Sequence, residues 1–221
     1  YGHCLTTLGG GMEHQTMTTL GNFGYTLVGH ELAHMWFGDF VTCATWQDIW
    51  INEGFASYSE YILLENLQTI ESAKSWMLNA HNYAFERTTG SIYIPFEQAF
   101  NESRIFDYRL SYKKGAAIIH TLRNEIHNDD LFFLAIRVYL DVFADSVATG
   151  DDFKLTMEKE TGMNLGPFFN QWYYGEGYPQ FDVEYYQTND TLYLTVKEST
   201  SSANTPLFQL HVDYKIVAND R

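Results

Sequence analysis

An α+β fold, mainly helical and then antiparallel β, is expected from three observations along the 221 residues. From Gly24 to about Tyr174, apolar residues recur at helical spacing between capping and glycine signals. After Tyr178-Pro179 the pattern becomes an alternation of apolar and polar residues. The hydrophobic share of 45% supplies a sizeable core and excludes a disordered chain. This length suits one large domain or one and a half.

Taken in order, residues 1–22 are rich in threonine and glycine and read as strand, glycine turn, strand, with Gly9, Gly10 and Gly11 leaving room for another backbone to come close. Gly24 to Gly29 opens a helix that carries Leu32, Ala33, Met35, Trp36 and Phe37 to Gly38-Asp39, and so apolar a helix is expected to be buried almost all round. A second helix is expected from Glu53 to about Leu67, and a third from Glu71 to about Arg87 with Trp76, Met77, Tyr83 and Phe85 as core. Ser91 to Pro95 reads as a loop. A stripe of Ala116, Ile119, Leu122 and Ile126 predicts a helix starting near Tyr112. Three packing helices should follow: one opened by Asp129-Asp130, one capped by Thr149-Gly-Asp-Asp152, and one from about Leu165 to Tyr174 with Pro167 in its first turn. Phe181–Tyr186, Thr191–Lys197 and Leu207–Val217 are expected to be antiparallel strands. Three strands leave exposed edges, so this β unit is expected to be a truncated one.

Thirteen basic against 28 acidic residues give a formal charge of −15. That disfavours nucleic acid and anionic membrane surfaces and favours cationic groups such as a peptide's amino terminus, although a solvated acidic surface needs no partner. Cys4 and Cys43 have no metal-binding spacing and read as buried thiols, with a disulfide between them left open. No apolar run approaches transmembrane length. The sequence begins at Tyr1 and reads as a piece of something longer. Its acidity and the sequons at Asn101 and Asn189 favour a secreted, periplasmic or cell-surface location over a cytoplasmic one.

The densest chemistry lies between His30 and Glu53. His30-Glu-Leu-Ala-His34 puts two imidazoles one helical turn apart on one face, with Glu31 beside them, and eighteen residues later comes Glu53. Two histidines and a carboxylate suit a zinc ion with a fourth position left to water, and Glu31 is placed to accept that water's proton. The alternative is a pair of core histidines satisfied by backbone carbonyls. Glu60, two turns beyond Glu53 on the same face, is either an exposed helix glutamate or the acceptor for a ligand histidine. Glu13, beside the glycine-lined groove, can pair with an ammonium group.

Gly10-Gly11-Met12-Glu13-His14, His30-Glu-Leu-Ala-His34 and Asn52-Glu53-Gly-Phe-Ala-Ser-Tyr58 together resemble the gluzincin aminopeptidases, the zinc family of alanyl aminopeptidase and leukotriene hydrolase. The resemblance implies one zinc per chain on His30, His34 and Glu53, Glu31 as general base, and Glu13 as the anchor of the substrate's free amino group. It places Gly10, Gly11 and Met12 on an edge strand along the substrate. Ser111-Tyr112-Lys113-Lys114-Gly115 resembles the family segment whose tyrosine donates to the tetrahedral intermediate, which implies that role for Tyr112. His14 departs from the family's usual asparagine. The implied architecture is a thermolysin-like catalytic domain over 1–176 lacking its amino-terminal part, then the first strands of a truncated β-sandwich domain over 177–221; the remaining amino- and carboxy-terminal domains belong to the full-length protein. The implied activity is removal of the amino-terminal residue from peptides. A thermolysin-type metalloendopeptidase and a catalytically silent zinc-binding scaffold are the alternatives.

Overall fold

The computed structural model describes residues 1–217, so residues 218–221 of the expected second unit lie outside it. The amino-terminal stretch forms three short strands where two were expected. β1 (Gly2–Leu5) runs parallel to β3 (Met17–Leu20), and β2 (Gly11–Met12) pairs with the other edge of β3 in the antiparallel sense. The extra strand comes from the glycine turn itself, whose far end is straight enough to pair Gly11 with Leu20 and Met12 with Thr19.

Helix α1 (Tyr25–Ala33) is shorter than its apolar pattern suggested. His34 caps it, and Met35 and Trp36 close tighter i to i−3 turns onto Leu32 and Ala33. It is also less buried than expected: Ala33 and Phe37 enter the core, while Leu32, Trp36 and Tyr25 are exposed. The buried face is the polar one, with His30, Glu31 and His34 each no more than 8% exposed. Strand β4 (Val41–Cys43) follows, then a single tight turn at Trp46–Asp48 that leads into α2 (Trp50–Leu67).

Helix α2 is the axis of the fold. It packs against α1, against α3 (Ile70–Phe85), and against α5 (Gly115–Ile126). Between α3 and α5 lie a short helix α4 (Glu102–Ile105) and a π-helical turn, Tyr108–Lys114, that runs straight into α5. Helix α6 (Asp129–Val142) packs on α7 (Gly150–Thr161), and the brief strand β5 (Ser146–Ala148) between them pairs in parallel with β4. Thr149 and Asp152 form the expected capping box at the start of α7. The expected last helix is a three-residue α8 (Gly166–Phe168) continued by a π-helical turn, Phe169–Tyr173.

The core gathers where α2, α6, α7 and the last turn meet. Phe153 is fully buried and packs against Phe55, Tyr139 and Trp50 with ring centroids 5.2, 5.2 and 5.9 Å away. Two expectations about burial are corrected. Cys4 is exposed because β1 lies at the sheet's open edge, while Cys43 is buried, and both thiols are free. Phe85 is exposed at the end of α3, where its ring lies 4.5 Å from that of Tyr178.

Strands β6 (Pro179–Thr188) and β7 (Thr191–Thr200) form the expected antiparallel hairpin, turned at Asn189 with φ of 53°. The third expected strand, Leu207–Val217, does not form among the described residues. Its backbone donors go to side chains instead: Phe208 N–H to Glu198, Gln209 N–H to Gln171 and His211 N–H to Glu125. Those three N–H groups are thereby unavailable to a strand ladder. No described helix is long and apolar enough to cross a membrane.

Candidate active site

Helices α1 and α2 cross so that His30 and His34 on the first meet Glu53 in the opening turn of the second. The Nε2 atoms of the two histidines lie 3.3 Å apart, and each is 3.4 Å from Glu53 Oε2. Glu53 is fixed by its neighbour, since the buried Asn52 side chain accepts a 3.1 Å hydrogen bond from Cys43 N–H and so ties α2 to β4.

The tautomers follow from the outer partners. His34 Nδ1 lies 2.9 Å from the carbonyl of Phe37, which can only accept, so Nδ1 carries the hydrogen. His30 Nδ1–H donates in the same way to Glu60 Oε1 at 3.0 Å. In the neutral rings both Nε2 lone pairs therefore face one carboxylate oxygen. Atoms within 3.4 Å of one another in this way need positive charge among them, a proton on an imidazole nitrogen or a metal cation. Burial opposes charge on all three residues, yet their contacts prevail: His30 is pushed up to about 9, His34 is raised, and Glu53 is held down at about 2. The donor set, two imidazoles and a carboxylate with outward hydrogen bonds on both rings, fits zinc.

Glu31 is buried beside the triad and lies flush against Gly11 of β2. A Cβ at Gly11 would collide with this carboxylate, so the absent side chain is what lets the strand come close. Burial raises the Glu31 carboxyl to about 7, against the pull of His30 and His34. That places its proton affinity near the working range of a general base. Glu13 follows β2 directly, and its carboxylate, that of Glu31 and a His34 nitrogen all lie within 4.8 Å of one another.

On the other flank, Tyr112 projects from the π-helical turn with its ring 6.0 Å from that of His30 and nearly parallel to it. Burial, with Glu53 beside it, raises the phenol well above its usual range, so it is a donor. Its distance from the triad is set by a backbone contact. Gly54, next to Glu53, faces Gly115, three residues past Tyr112, so closely that a Cβ on Gly115 would lie 3.1 Å from the Gly54 Cα. His30, His34, Glu53, Glu31, Glu13 and Tyr112 line one cleft of about 1270 Å³, whose wall also includes Gly10, Met12, Trp46, Phe100 and Tyr108.

Every residue expected to hold metal, act in catalysis or bind substrate, together with Glu60, borders this cleft. His14 faces away, hydrogen-bonded to Thr19 through Nδ1 at 3.1 Å. Sequence reasoning missed Asn52 and the Gly54–Gly115 contact. It also read Trp76 as plain core, whereas its indole N–H donates to Glu60 Oε2 at 2.8 Å. Sixteen residues separate that pair, and no local pattern announces it.

The peptidase family M1 domain matches residues 10–172, most of the chain and all of this cleft. The chain belongs to this family. Among M1 relatives, it is 30% identical over 178 residues to aminopeptidase N of Lactococcus lactis subsp. cremoris, covering 78% of this chain and 21% of that protein. The M1 zinc metallopeptidase of Deinococcus radiodurans superposes with a TM-score of 0.65 at 26% identity, over 74% of this chain and 36% of that one. Leukotriene A4 hydrolase of Saccharomyces cerevisiae, at 21% identity and a TM-score of 0.65, shares the fold over 72% of this chain and 28% of its own. This M1 chain spans about a fifth of the length of the curated relatives it matches.

Proposed function

We propose that this chain is the thermolysin-like catalytic region of a zinc-dependent aminopeptidase that hydrolyses the amino-terminal residue from peptides, and that its β6–β7 hairpin begins a β-sandwich domain. The observation that carries the reading is the place of Glu13: a third carboxylate, directly after the strand that touches Glu31, within 4.8 Å of both Glu31 and His34. A base and a metal site suffice for peptide hydrolysis. A further anion at this distance is of use to a substrate that brings an ammonium group next to the scissile carbonyl.

Zinc held by His30, His34 and Glu53 would supply Lewis acidity, polarising a carbonyl and making a water molecule acidic near neutral pH. The remaining work belongs to the chain. Glu13 pairs with the ammonium and so measures the cut at one residue from the end. Glu31 accepts the attacking water's proton and delivers it to the leaving amine nitrogen, ending in the state in which it began. Tyr112 donates to the carbonyl oxygen as negative charge develops there. A mutant of the Deinococcus radiodurans relative has been solved with a Tyr-Ser-Ala substrate, a peptide that would meet these requirements here.

The test compares aminoacyl-anilides with their amino-acetylated twins on the full-length protein. Free-amine substrates should be cut and blocked ones should not; efficient cleavage of blocked internal peptides would favour an endopeptidase instead. Glu13→Ala is expected to raise KM for free-amine substrates by roughly tenfold or more, the scale of a lost charge-assisted hydrogen bond of about 1.5–3 kcal/mol, and to narrow the gap to the blocked twins. If the gap stays as wide, the anchor lies elsewhere. Tyr112→Phe should lower kcat about a hundredfold and leave KM nearly unchanged, since its donation strengthens only as charge develops. An equal loss in binding would remove it from the oxyanion role.

A further inference from the structure

We infer that Lys113 is a positioning residue for His30, acting through Glu60; the inference rests on the zinc site proposed above. The π-helical turn delivers two consecutive side chains to opposite sides of the His30–Glu60 pair. Tyr112 stacks over the imidazole from the cleft, and Lys113 approaches the carboxylate from the protein interior. The Lys113 side chain is 5% exposed, and its ammonium lies 3.8 Å from Glu60 Oε2, its one anionic partner among the described residues. It sits 4.2 Å above the centre of the Trp76 ring and 5.1 Å from that of Tyr108.

A buried ammonium is costly and tends to be out-competed by a hydrophobic residue of similar size wherever stability alone matters. Here its position answers a definite need. A histidine that ligates a metal through Nε2 and donates through Nδ1–H is neutral, so it leaves the Glu60 charge unbalanced. Lys113 supplies that balance. Trp76 contributes twice, donating its indole N–H to Oε2 at 2.8 Å while its ring face carries the ammonium. With Oε2 engaged by both groups, Oε1 is turned to His30 alone, at 3.0 Å. The orientation of a metal ligand is thus set from the residue next to Tyr112 in the chain.

The experiment is a double-mutant cycle on zinc affinity, measured by chelator competition on the full-length protein, with the thermal midpoint recorded for each variant. Glu60→Gln should weaken zinc by about 10–100-fold, as loss of an outer partner does. Lys113→Met should weaken it about tenfold on its own and change it less than about twofold in the Glu60→Gln background, because its action passes through that carboxylate. A zinc affinity in Lys113→Met equal to wild type overturns the inference. So does the same factor in both backgrounds, which would mark a general structural loss. If Lys113→Met does not fold, Lys113→Gln carries the same expectation and the same refutations. A wild-type protein that holds no zinc would end the zinc reading and this inference together, whereas zinc held equally by wild type and variant ends the inference alone.

Discussion

Glu31→Gln is expected to lower kcat by roughly 10³-fold, within the range that a positioned general base contributes, while zinc content and KM stay near wild type. The substitution keeps the shape and the burial of the side chain against Gly11 and removes only its ability to take a proton. Zinc is retained because none of the three converging ligand atoms belongs to Glu31. KM is retained because Glu13, the proposed ammonium partner, is untouched. Metal analysis alongside turnover of a free-amine anilide decides the matter. Turnover near wild type would remove Glu31 from the role of base, and lost zinc would show that the carboxylate helps hold the ion.

Glu53→Ala is expected to leave the protein without stoichiometric zinc and without measurable turnover. The weakening must exceed the roughly 10–100-fold that an outer partner such as Glu60 is worth, because the variant loses a proposed direct ligand. It leaves two imidazole nitrogens 3.3 Å apart with no anion between them. Chelation of the wild type should reproduce the loss, and zinc added back should rescue the wild type at concentrations that do nothing for the variant. Stability offers a second readout. A ligand present at a thousand times its Kd stabilises the folded state by about 4 kcal/mol, so chelation should lower the wild-type thermal midpoint by several degrees and leave that of Glu53→Ala unmoved. Full activity in Glu53→Ala would place the metal elsewhere.

What the sequence made legible was local. The two histidines share a helical turn, the capping box spans four residues, and the β6–β7 turn is announced by its own Asn-Asp. Each rests on contacts that a short window contains. The parallel pair of β4 and β5 joins residues about a hundred positions apart through strands of three residues, too short to display a period and dependent on the whole helical body to meet. The π-helical turn at Tyr112 has no signal of its own, because a widened turn and an ordinary helix share nearly the same apolar spacing. The segment after Leu207 alternates as a strand should, yet its backbone donors found carboxylate and amide side chains first. In the site, the three converging groups, His30, His34 and Glu53, were readable because metal chemistry restricts such a set to few residue types. The groups behind them, Asn52, Trp76 and Lys113, could be any polar residue that reaches, and only the tertiary arrangement selects them.

The crossing of Gly54 and Gly115 separates what such an enzyme recognises from how it reacts. The spacing between Glu53 and Tyr112 is set main chain to main chain, with no side chain interposed to swell, shrink or change rotamer. Substitutions along the aromatic wall at Trp46 and Phe100 can reshape the cleft without passing through that joint. On the proposed reading the chain can therefore be retuned towards new peptides while Glu53 and Tyr112 keep their interval, and a library confined to the wall should yield changes of preference in which the loss of catalysis is the exception.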